Sequence, residues 1–446
     1  MLLEYASQYK NKKVGFVGLG ISNLPVIKLF ASAGAKCIVR DRKNPENFAN
    51  YSELKDIGVE FISSDGYLKN IDEELLFLSP AVRPDIRELA EAKARGTKLT
   101  SETEEFFRMC PCRKIAVTGS DGKTTTTTLI SLLLEKEGCR VHLGGNIGKN
   151  LLMSLDSVGK DDFAVAELSS FQLMKMDISP DIAVITNIAP NHLDWHKDMD
   201  EYVKAKKHIF SFQNKNGLLV LNSDDSRFDE FRKEAKGRVR TVSGTGDADV
   251  YFNEEGIFRN GKKIVSDSEI KLVGRHNRYN YSEAYAAVMD FVSEKTLVSV
   301  AREFSGVEHR SEFVREFENV KYYNSSIDSS PSRTKACLES FKEPVIVISV
   351  GYDKNIPYNS IGDLFKRKAK HAVLCGATAK KIADALDAAG YKDYEFANTF
   401  EEAVNAARRF SKPGDTVVLS PASASFDLFR NFEERGETFK NIVNGF

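Results

Sequence analysis

The chain has 446 residues, which is more than one ordinary hydrophobic core holds, so the length predicts two or three domains. Hydrophobic residues (42%) and charged residues (28%) stand in a globular proportion, which excludes a largely disordered chain. The 63 basic residues nearly cancel the 64 acidic ones, so the net charge favours neither a nucleic acid nor an anionic membrane as partner.

The amino terminus lacks the basic region and apolar core of a secretory signal, and no segment approaches the roughly 18 consecutive apolar residues of a membrane span. We therefore expect a cytoplasmic protein with no membrane partner. The six cysteines are scattered, except for Cys110 and Cys112. Because zinc sites need two spaced pairs or added histidines, reduced structural thiols are favoured over a metal or redox pair.

Short apolar runs alternate with segments of helical period along nearly the whole chain, a pattern typical of parallel sheets with crossover helices. The predicted fold class is α/β. The first series has strands at 14–17, 36–41 and 75–78, with a helix at 24–33. The second has strands at 114–117, 163–166, 182–185 and 218–221, then an antiparallel hairpin at about 251–264. The third begins near 307 and has strands at 345–348, 372–374 and 417–419.

These three series predict three domains. Residues 1–101 form a Rossmann-like domain, residues 102–306 a central P-loop ATPase-like domain with a mostly parallel sheet, and residues 307–446 a second Rossmann-like domain.

The strongest single motif is Gly119–Thr124, which stands between a predicted strand and a predicted helix. Its glycines let backbone N–H groups approach phosphates, and the helix N-terminus favours anions. Lys123 adds a positive charge, and Thr124 can ligate Mg²⁺. A plain tight turn explains the glycines but not the Lys-Thr pair. The motif therefore predicts a phosphate site for ATP, although only two residues separate Gly119 from Gly122.

A second glycine-containing turn, Gly18–Asn23, follows the first predicted strand, and Asp41 lies about 20 residues further on. Taken alone, this pattern suggests NAD and a dehydrogenase. The signal is weak, because such glycines also serve any tight turn from strand to helix.

Several segments together resemble the Mur ligases, and within that family the ligases that add D-glutamate. The short phosphate loop is shared with folylpolyglutamate synthetases, but those enzymes lack the first domain. The segments that carry the resemblance are Gly144–Gly148, Glu167–Leu173, Asn187–Asp194, Tyr202–Lys206 and Leu419–Gly436.

The resemblance implies ATP and two Mg²⁺ ions as cofactors. It assigns catalytic roles to Lys123, Glu167, His192 and Lys206, and it places the Mg²⁺ ions at Thr124, Glu167, His192 and Lys206. The residues that it assigns to ATP are Gly119, Ser120, Asp121, Gly122, Lys123, Thr124, Thr125, Asn277, Asn280, His309 and Arg310.

Two of these assignments have plain alternatives. Mg²⁺ prefers oxygen ligands, so His192 alone suggests a structural histidine or, with His196, a zinc pair. Lys206 alone suggests a lysine on a helix surface beside Lys204 and Lys207. In the family the lysine at the position of Lys206 carries a carbamate, whose anionic oxygens can ligate a metal ion, whereas an ammonium group cannot.

By the same resemblance, the first domain binds the UDP part of the substrate rather than NAD. The residues implied are Ile21, Ser22, Asp41, Arg42, Ser79, Pro80, Asn146 and His192.

The third domain departs from the family pattern. Where many of these ligases have an acid and a lysine, this chain has Ser325 and Ile327. Arg333 or Lys354 is the predicted replacement that binds the side-chain carboxylate of the amino acid. Ser420 and Phe429 are the residues predicted at its α-carboxylate.

The resemblance therefore implies an ATP-dependent amide ligase with the substrates UDP-MurNAc-L-Ala, D-glutamate and ATP, and we expect it to act as a monomer. Its reaction would pass through an acyl phosphate and a tetrahedral intermediate. Two alternatives stay open, namely a Mur-type ligase for a different amino acid and a nucleotide-binding regulatory protein without turnover.

Overall fold

The computed structural model describes residues 1–147, 150–192, 195–272, 274–353 and 356–446. These residues form an α/β fold with three sheets that consist mainly of parallel strands, which confirms the predicted fold class. They make up two compact units, one of Met1–Ile270 with Arg275–Arg302 and the other of Lys271–Gly274 with Glu303–Phe446. The predicted three-domain limits at residues 101 and 306 stay predictions.

The first sheet occupies the first hundred residues. Its elements, in chain order, are α1 (Leu2–Ser7), β1 (Lys13–Val17), α2 (Leu24–Ser32), β2 (Lys36–Asp41), α3 (Tyr51–Asp56), β3 (Glu60–Ser63), β4 (Leu75–Leu78), α4 (Arg87–Ala94), β5 (Lys98–Thr100) and the following α5 (Glu102–Met109). The strands are parallel in the order β3-β2-β1-β4-β5. The chain reverses its direction of progress across the sheet between β1 and β4, and open α/β sheets bind ligands at that point.

Apolar residues explain why β1 and β4 lie inside the first sheet rather than at its edges. Every residue of β4, Leu-Leu-Phe-Leu, is buried. Phe77 of β4 stacks on Phe16 of β1 with ring centroids 5.3 Å apart, and Phe30 of α2 lies edge-on to Phe77 at 5.4 Å. Such aromatic contacts fix the helix against the sheet beyond what burial alone supplies.

The second sheet lies in the same compact unit. Its elements are β6 (Arg113–Thr118), α6 (Lys123–Lys136), β7 (Val141–Gly145), β8 (Phe163–Glu167), α7 (Ser170–Leu173), β9 (Ile182–Ile185), α8 (Met199–Ser211), β10 (Leu218–Asn222), α9 (Phe228–Glu234), β11 (Arg238–Ser243), β12 (Val250–Asn253), β13 (Gly256–Arg259), β14 (Lys262–Ser266), α10 (Arg275–Val288) and α11 (Glu294–Glu303). The strand order is β14-β13-β12-β11-β10-β9-β6-β8-β7. The predicted hairpin is β12 with β13, and β14 extends it as a third antiparallel strand.

The third sheet belongs to the second unit. Its elements are β15 (Glu312–Phe317), β16 (Val320–Asn324), α12 (Pro331–Glu339), β17 (Val345–Val350), α13 (Asn359–Lys368), β18 (Ala369–Cys375), α14 (Ala379–Ala388), β19 (Tyr394–Phe396), α15 (Phe400–Phe410), β20 (Thr416–Leu419) and α16 (Phe432–Asn444). The order is β15-β16-β20-β17-β18-β19, and only β15 runs antiparallel to its neighbour among these strands.

All six cysteines are free thiols, and five of them are buried. Within the described ranges, no helix is long and apolar enough to cross a membrane.

Candidate active site

The phosphate loop connects β6 to α6, as the sequence predicts. Gly122 precedes α6 with φ +78°, and Gly119 has φ +151°, both in the region that favours glycine. A Cβ on Gly119 would stand 1.9 Å from Oγ1 of Thr186, and one on Gly122 would stand 2.4 Å from Oδ1 of Asn280. Glycine is therefore required at both positions by packing as well as by backbone conformation.

Lys123 opens α6 and folds its side chain back over the loop. Its Nζ donates hydrogen bonds to the carbonyl oxygens of Gly119 (3.0 Å) and Ser120 (2.9 Å). The cation is thus held beside the loop's backbone, where a phosphate group needs a positive charge.

Glu167 ends β8, the strand beside β6, and its side chain is only 2% exposed. Thr124 Oγ1 donates to one carboxylate oxygen at 2.7 Å, and Asn146 Nδ2 donates to the other at 2.7 Å. A buried carboxylate with two hydrogen-bond donors and free lone pairs is a suitable hard oxygen ligand for Mg²⁺. Asn146, predicted as a contact of the UDP substrate, therefore orients Glu167 in this structure.

Residues from two neighbouring segments anchor the loop. Ser120 Oγ lies 3.0 Å from the hydroxyl of Tyr202 on α8. Asn187, which follows β9, accepts a hydrogen bond from the backbone N–H of Asp121 and donates one to its carbonyl, each at 3.0 Å. Thr186 Oγ1 also donates to the Asp121 carbonyl at 2.5 Å. The loop is therefore fixed by the ends of adjacent strands and by α8.

Lys206 lies on the buried face of α8, with 1% of its surface exposed, whereas Lys204 is exposed and Lys207 is partly so. Its Nζ donates to the carbonyl of Gly119 at 2.7 Å and to Thr118 Oγ1 at 3.3 Å. Burial first, and then the nearby charge of Lys123, hold the pKa of Lys206 well below its usual range. The surface-lysine interpretation of Lys206 is therefore wrong.

His192 and His196 differ in exposure and in their side-chain surroundings. His192 is exposed, has φ +54°, and lies with its ring 4.9 Å from that of Phe171. His196 is buried, and its Nε2 lies 2.9 Å from Ser170 Oγ. Burial lowers the pKa of His196, which favours a neutral, structural histidine.

Asn277 and Asn280 face α6 from the first turns of α10. Asn280 Nδ2 donates to Asn277 Oδ1 at 2.9 Å, and Thr126 Oγ1 donates to Asn280 Oδ1 at 3.2 Å. Both asparagines are buried. They stand beside Gly122 of the phosphate loop, which is consistent with their predicted place next to the nucleotide.

Several residues predicted for the UDP substrate follow strands of the first sheet near the point where its strand order reverses, whereas Asn146 and His192 follow strands of the second sheet. Asp41 ends β2, and its carboxylate accepts from the backbone N–H of Leu19 at 2.9 Å, which fixes the turn after β1. Ser22 and Pro80 line one small cavity. Ile21 is 93% exposed and Arg42 is also exposed, so their side chains are accessible to a ligand.

In the second unit, the carboxyl ends of β16, β20 and β17 are neighbours. Ser420 is fully buried, and its Oγ lies 2.9 Å both from Asp328 Oδ2 and from Thr334 Oγ1. Phe429 packs on Phe400 with ring centroids 5.1 Å apart. Both residues therefore have internal partners.

Arg333 is exposed on the first turn of α12, and its Nη1 donates to the carbonyl of Ile327 at 3.1 Å. Its guanidinium group thus lies beside the position where the family pattern has a lysine. Lys354 lies outside the described residues. His309 is buried, with Nδ1 3.0 Å from Asn324 Nδ2, and Arg310 follows it in the loop before β15.

Comparisons with known proteins identify the family. The model of the Mur ligase middle domain matches residues 117–288, and that of the Mur ligase glutamate ligase domain matches residues 309–423. A Clostridium kluyveri protein named UDP-N-acetylmuramoylalanine--D-glutamate ligase is 46% identical over 444 residues, which cover 98% of this chain and 97% of the relative. The chain belongs to the Mur ligase family.

A second relative and two solved structures are similar to this Mur ligase over nearly its whole length. A Ruminiclostridium cellulolyticum protein of the same name is 44% identical over 467 residues, covering 99% of this chain and 98% of the relative. Among solved structures, MurF from Acinetobacter baumannii has a TM-score of 0.60 at 17% identity, covering 99% of this chain and 98% of that one. MurC from Thermotoga maritima has a TM-score of 0.57 at 19% identity, covering 97% and 99%. At these identities the structures support the fold alone.

The sequence interpretation gave no role to several residues that shape this Mur ligase site. Tyr202 and Thr186 anchor the phosphate loop, and Lys175 donates to the carbonyls of Ser79 and Pro80. Helical spacing was a usable signal for the burial of Lys206, because Val203 and Phe210 lie three residues before and four residues after it.

Proposed function

We propose that this Mur ligase joins D-glutamate to UDP-N-acetylmuramoyl-L-alanine and converts ATP to ADP and phosphate. The observation that carries the proposal is the match to D-glutamate ligases over nearly the whole length of the chain. The site geometry supports it, because Lys123 and Thr124 of the phosphate loop lie beside Glu167 at the end of β8. We further propose that it acts as a monomer in the cytoplasm.

In the first step, a carboxylate oxygen of UDP-N-acetylmuramoyl-L-alanine attacks the γ-phosphorus of ATP. The bond from that phosphorus to the bridging oxygen breaks, and an acyl phosphate and ADP form. Negative charge develops on phosphate oxygens, so a fixed cation and backbone N–H groups supply electrostatic stabilisation. Lys123 and the backbone of Gly119–Thr124 are the groups proposed for this role.

In the second step, the amino group of D-glutamate attacks the acyl carbon and gives a tetrahedral intermediate. The intermediate loses phosphate and a proton, and the amide remains. The residues proposed to position ATP are Gly119, Ser120, Asp121, Gly122, Lys123, Thr124, Thr125, Asn277, Asn280, His309 and Arg310.

Mg²⁺ fits the oxygen donors of Thr124 and Glu167, because both are hard ligands held on adjacent segments. When bound, Mg²⁺ neutralises charge on the phosphate groups. We assign one ion to Thr124 and Glu167. A second ion would use His192 and the carbamate of Lys206.

The carbamate on Lys206 is supported by the environment of its amine. A neutral amine is needed, because its lone pair forms the N–C bond to CO₂. One C=O π bond of CO₂ breaks as the carbamate oxygens take up the negative charge, and the nitrogen loses a proton. The burial of Lys206 and the charge of Lys123 both favour the neutral amine. The resulting carbamate is anionic, so it would compensate the nearby cation.

We assign the UDP part of the substrate to the crevice of the first sheet. The proposed contacts are Ile21, Ser22, Asp41, Arg42, Ser79, Pro80, Asn146 and His192. For D-glutamate we propose Arg333 or Lys354 at the side-chain carboxylate, and Ser420 and Phe429 near the α-carboxylate. Ser420 would have to exchange an internal hydrogen bond for this role.

The deciding experiment measures phosphate release with ATP, Mg²⁺ and UDP-N-acetylmuramoyl-L-alanine while amino acids are supplied one at a time. D-glutamate should give the highest kcat/KM. A higher value for another amino acid would identify a ligase of different specificity. Binding of the nucleotide with no release under any condition would indicate a regulatory protein.

A further inference from the structure

Lys175 is a partly buried lysine to which the proposed reaction gives no role. It follows α7, and its Nζ donates to the carbonyl oxygens of Ser79 and Pro80, to the latter at 2.8 Å. Among the described residues, no ion pair joins it to an acidic side chain. Carbonyl oxygens satisfy two of its three N–H donors but do not neutralise its charge. A cation that is partly withdrawn from water and has no counterion is destabilised, so an anionic ligand would stabilise it.

The surroundings of Lys175 favour an anion. With Ser22, Asn23 and Pro80 it lines a small cavity at the crevice of the first sheet. Asn23 and Ser101, which also line the cavity, are the N-cap residues of α2 and α5. The N-terminal ends of two helices therefore lie at the same cavity, and that of α2 has no acidic residue in its first turn.

We propose that Lys175 binds the diphosphate of the UDP-linked substrate, as a cation that the segment after α7 contributes to the crevice of the first sheet. This inference rests on the proposed function, since that function supplies the diphosphate. Lys175 would thus determine affinity for the sugar nucleotide rather than the rate of chemistry.

The protonation state of Lys175 gives a specific readout. Burial lowers the pKa of Lys175 to about 7, so much of the free protein carries a neutral amine at neutral pH. A bound diphosphate favours the charged form and raises this pKa, so binding should take up a proton. The diphosphate diester itself has no group that titrates near neutral pH.

The other charged groups around Lys175 have partners of their own. Glu102 lines the same cavity, burial raises its pKa, and its carboxylate accepts from the backbone N–H of Leu152 at 2.9 Å. Asp177 pairs with Arg108. Arg83, beyond Pro80, pairs with Glu201 at 2.7 Å. These groups are unchanged in a Lys175 variant. The difference in proton uptake between the variant and the wild type therefore reports the protonation of Lys175.

The test is calorimetry of full-length protein in buffers of different ionisation enthalpy, near pH 7.5. The ligands are UDP-N-acetylmuramoyl-L-alanine, UDP-N-acetylglucosamine and uridine. Wild type should take up roughly half a proton or more with either sugar nucleotide and none with uridine. Lys175→Met should lose this uptake and bind both sugar nucleotides about 10- to 100-fold more weakly, with uridine affinity unchanged.

Two further variants keep the test decisive. Lys175→Arg retains the charge, so it should bind the sugar nucleotides more tightly than Lys175→Met but take up no proton. Lys368→Met is the matched control, because Lys368 also donates to a backbone carbonyl, that of Phe341 at 2.7 Å, in the second unit. It should bind all three ligands as wild type does.

Several results would overturn the inference. The first is that Lys175→Met binds the sugar nucleotides and takes up protons as wild type does. The second is that Lys175→Met loses as much affinity for uridine as for the sugar nucleotides. The third is proton uptake by wild type with UDP-N-acetylmuramoyl-L-alanine but not with UDP-N-acetylglucosamine, which would assign Lys175 to the substrate's carboxylate. Failure of the wild type to bind any sugar nucleotide would instead contradict the proposed function.

Discussion

Thr124 Oγ1 donates a 2.7 Å hydrogen bond to Oε2 of Glu167, so the first turn of α6 is joined to the end of β8. The phosphate loop and the proposed Mg²⁺ ligand are therefore positioned by one contact between neighbouring parts of the sheet. Because Asn146 holds the other carboxylate oxygen, the orientation of Glu167 is set by the protein itself.

Lys123→Ala should lower ATP-dependent turnover by at least about 10²-fold, because it removes the fixed cation beside the loop. The affinity for UDP-N-acetylmuramoyl-L-alanine should stay near the wild-type value, since that ligand is assigned to the first sheet. Phosphate release and calorimetry measure the two effects. Lys136→Ala, at the exposed end of the same helix, is the control and should behave as wild type. Loss of both binding and turnover in Lys123→Ala would contradict the assignment.

Lys206→Ala should be nearly inactive, and acetate or formate should restore part of the rate by supplying the missing oxygen ligand. Lys204→Ala should retain normal turnover, because Lys204 is exposed on the same helix. Wild-type activity should fall in CO₂-free buffer at acidic pH, where more of the amine is protonated and cannot react. A carbonyl signal from ¹³C-bicarbonate would report the carbamate directly. Normal turnover of Lys206→Ala would remove the carbamate from the proposal.

Arg333→Ala should raise the KM for D-glutamate about 10-fold or more and leave the KM for ATP nearly unchanged, because it removes a charge-assisted hydrogen bond to one substrate only. Steady-state kinetics with each substrate varied in turn provide the measurement. Lys335→Ala, which removes another exposed cation from α12, should leave both values unchanged. If Lys354→Ala alone raises the KM for D-glutamate, that lysine holds the carboxylate instead.

Asp328 makes stability depend on pH. Burial raises the pKa of its carboxyl to about 6, so the folded protein holds a proton that the unfolded chain releases at lower pH. The carboxyl therefore contributes most stability at acidic pH, and this contribution falls as pH rises through about 6. Relative to Asp328→Asn, the wild type should lose about 2 kcal/mol of unfolding free energy between about pH 4.5 and 7.5.

Denaturant unfolding of both proteins at the two pH values checks the prediction for Asp328. Asp384→Asn, on the exposed side of α14, is the control and should show no comparable trend. A constant difference between wild type and Asp328→Asn across this range would mean that the carboxyl is ionised throughout.

Sequence information predicted the parts of the site that depend on local order. The strand, loop and helix around Gly119–Thr124 follow one another directly, so their spacing predicts their arrangement. The contact between Lys175 and the carbonyl of Pro80 joins residues 95 positions apart. Nothing in the local pattern around Lys175 distinguishes it from a surface lysine, because its environment arises only when the two segments pack together.

The UDP contacts at the first sheet were predicted from the resemblance to the family, because the glycine turn alone suggested NAD instead. The turn after β1 and the segment after β4 are adjacent because β1 and β4 are neighbouring strands, which only the structure reveals. The third-domain site could not be predicted in detail. Ser325 and Ile327 depart from the family pattern, and only the folded backbone reveals that Arg333 reaches the carbonyl of Ile327.

The lack of space at Gly119 limits how this protein can change under antibiotic selection. Any side chain at this position would begin with a Cβ 1.9 Å from Oγ1 of Thr186 and would adopt a strained backbone conformation. A compound that contacts the loop through its backbone N–H groups would therefore bind where single substitutions of Gly119 are incompatible with the fold. Resistance to such a compound would therefore have to arise at positions other than Gly119.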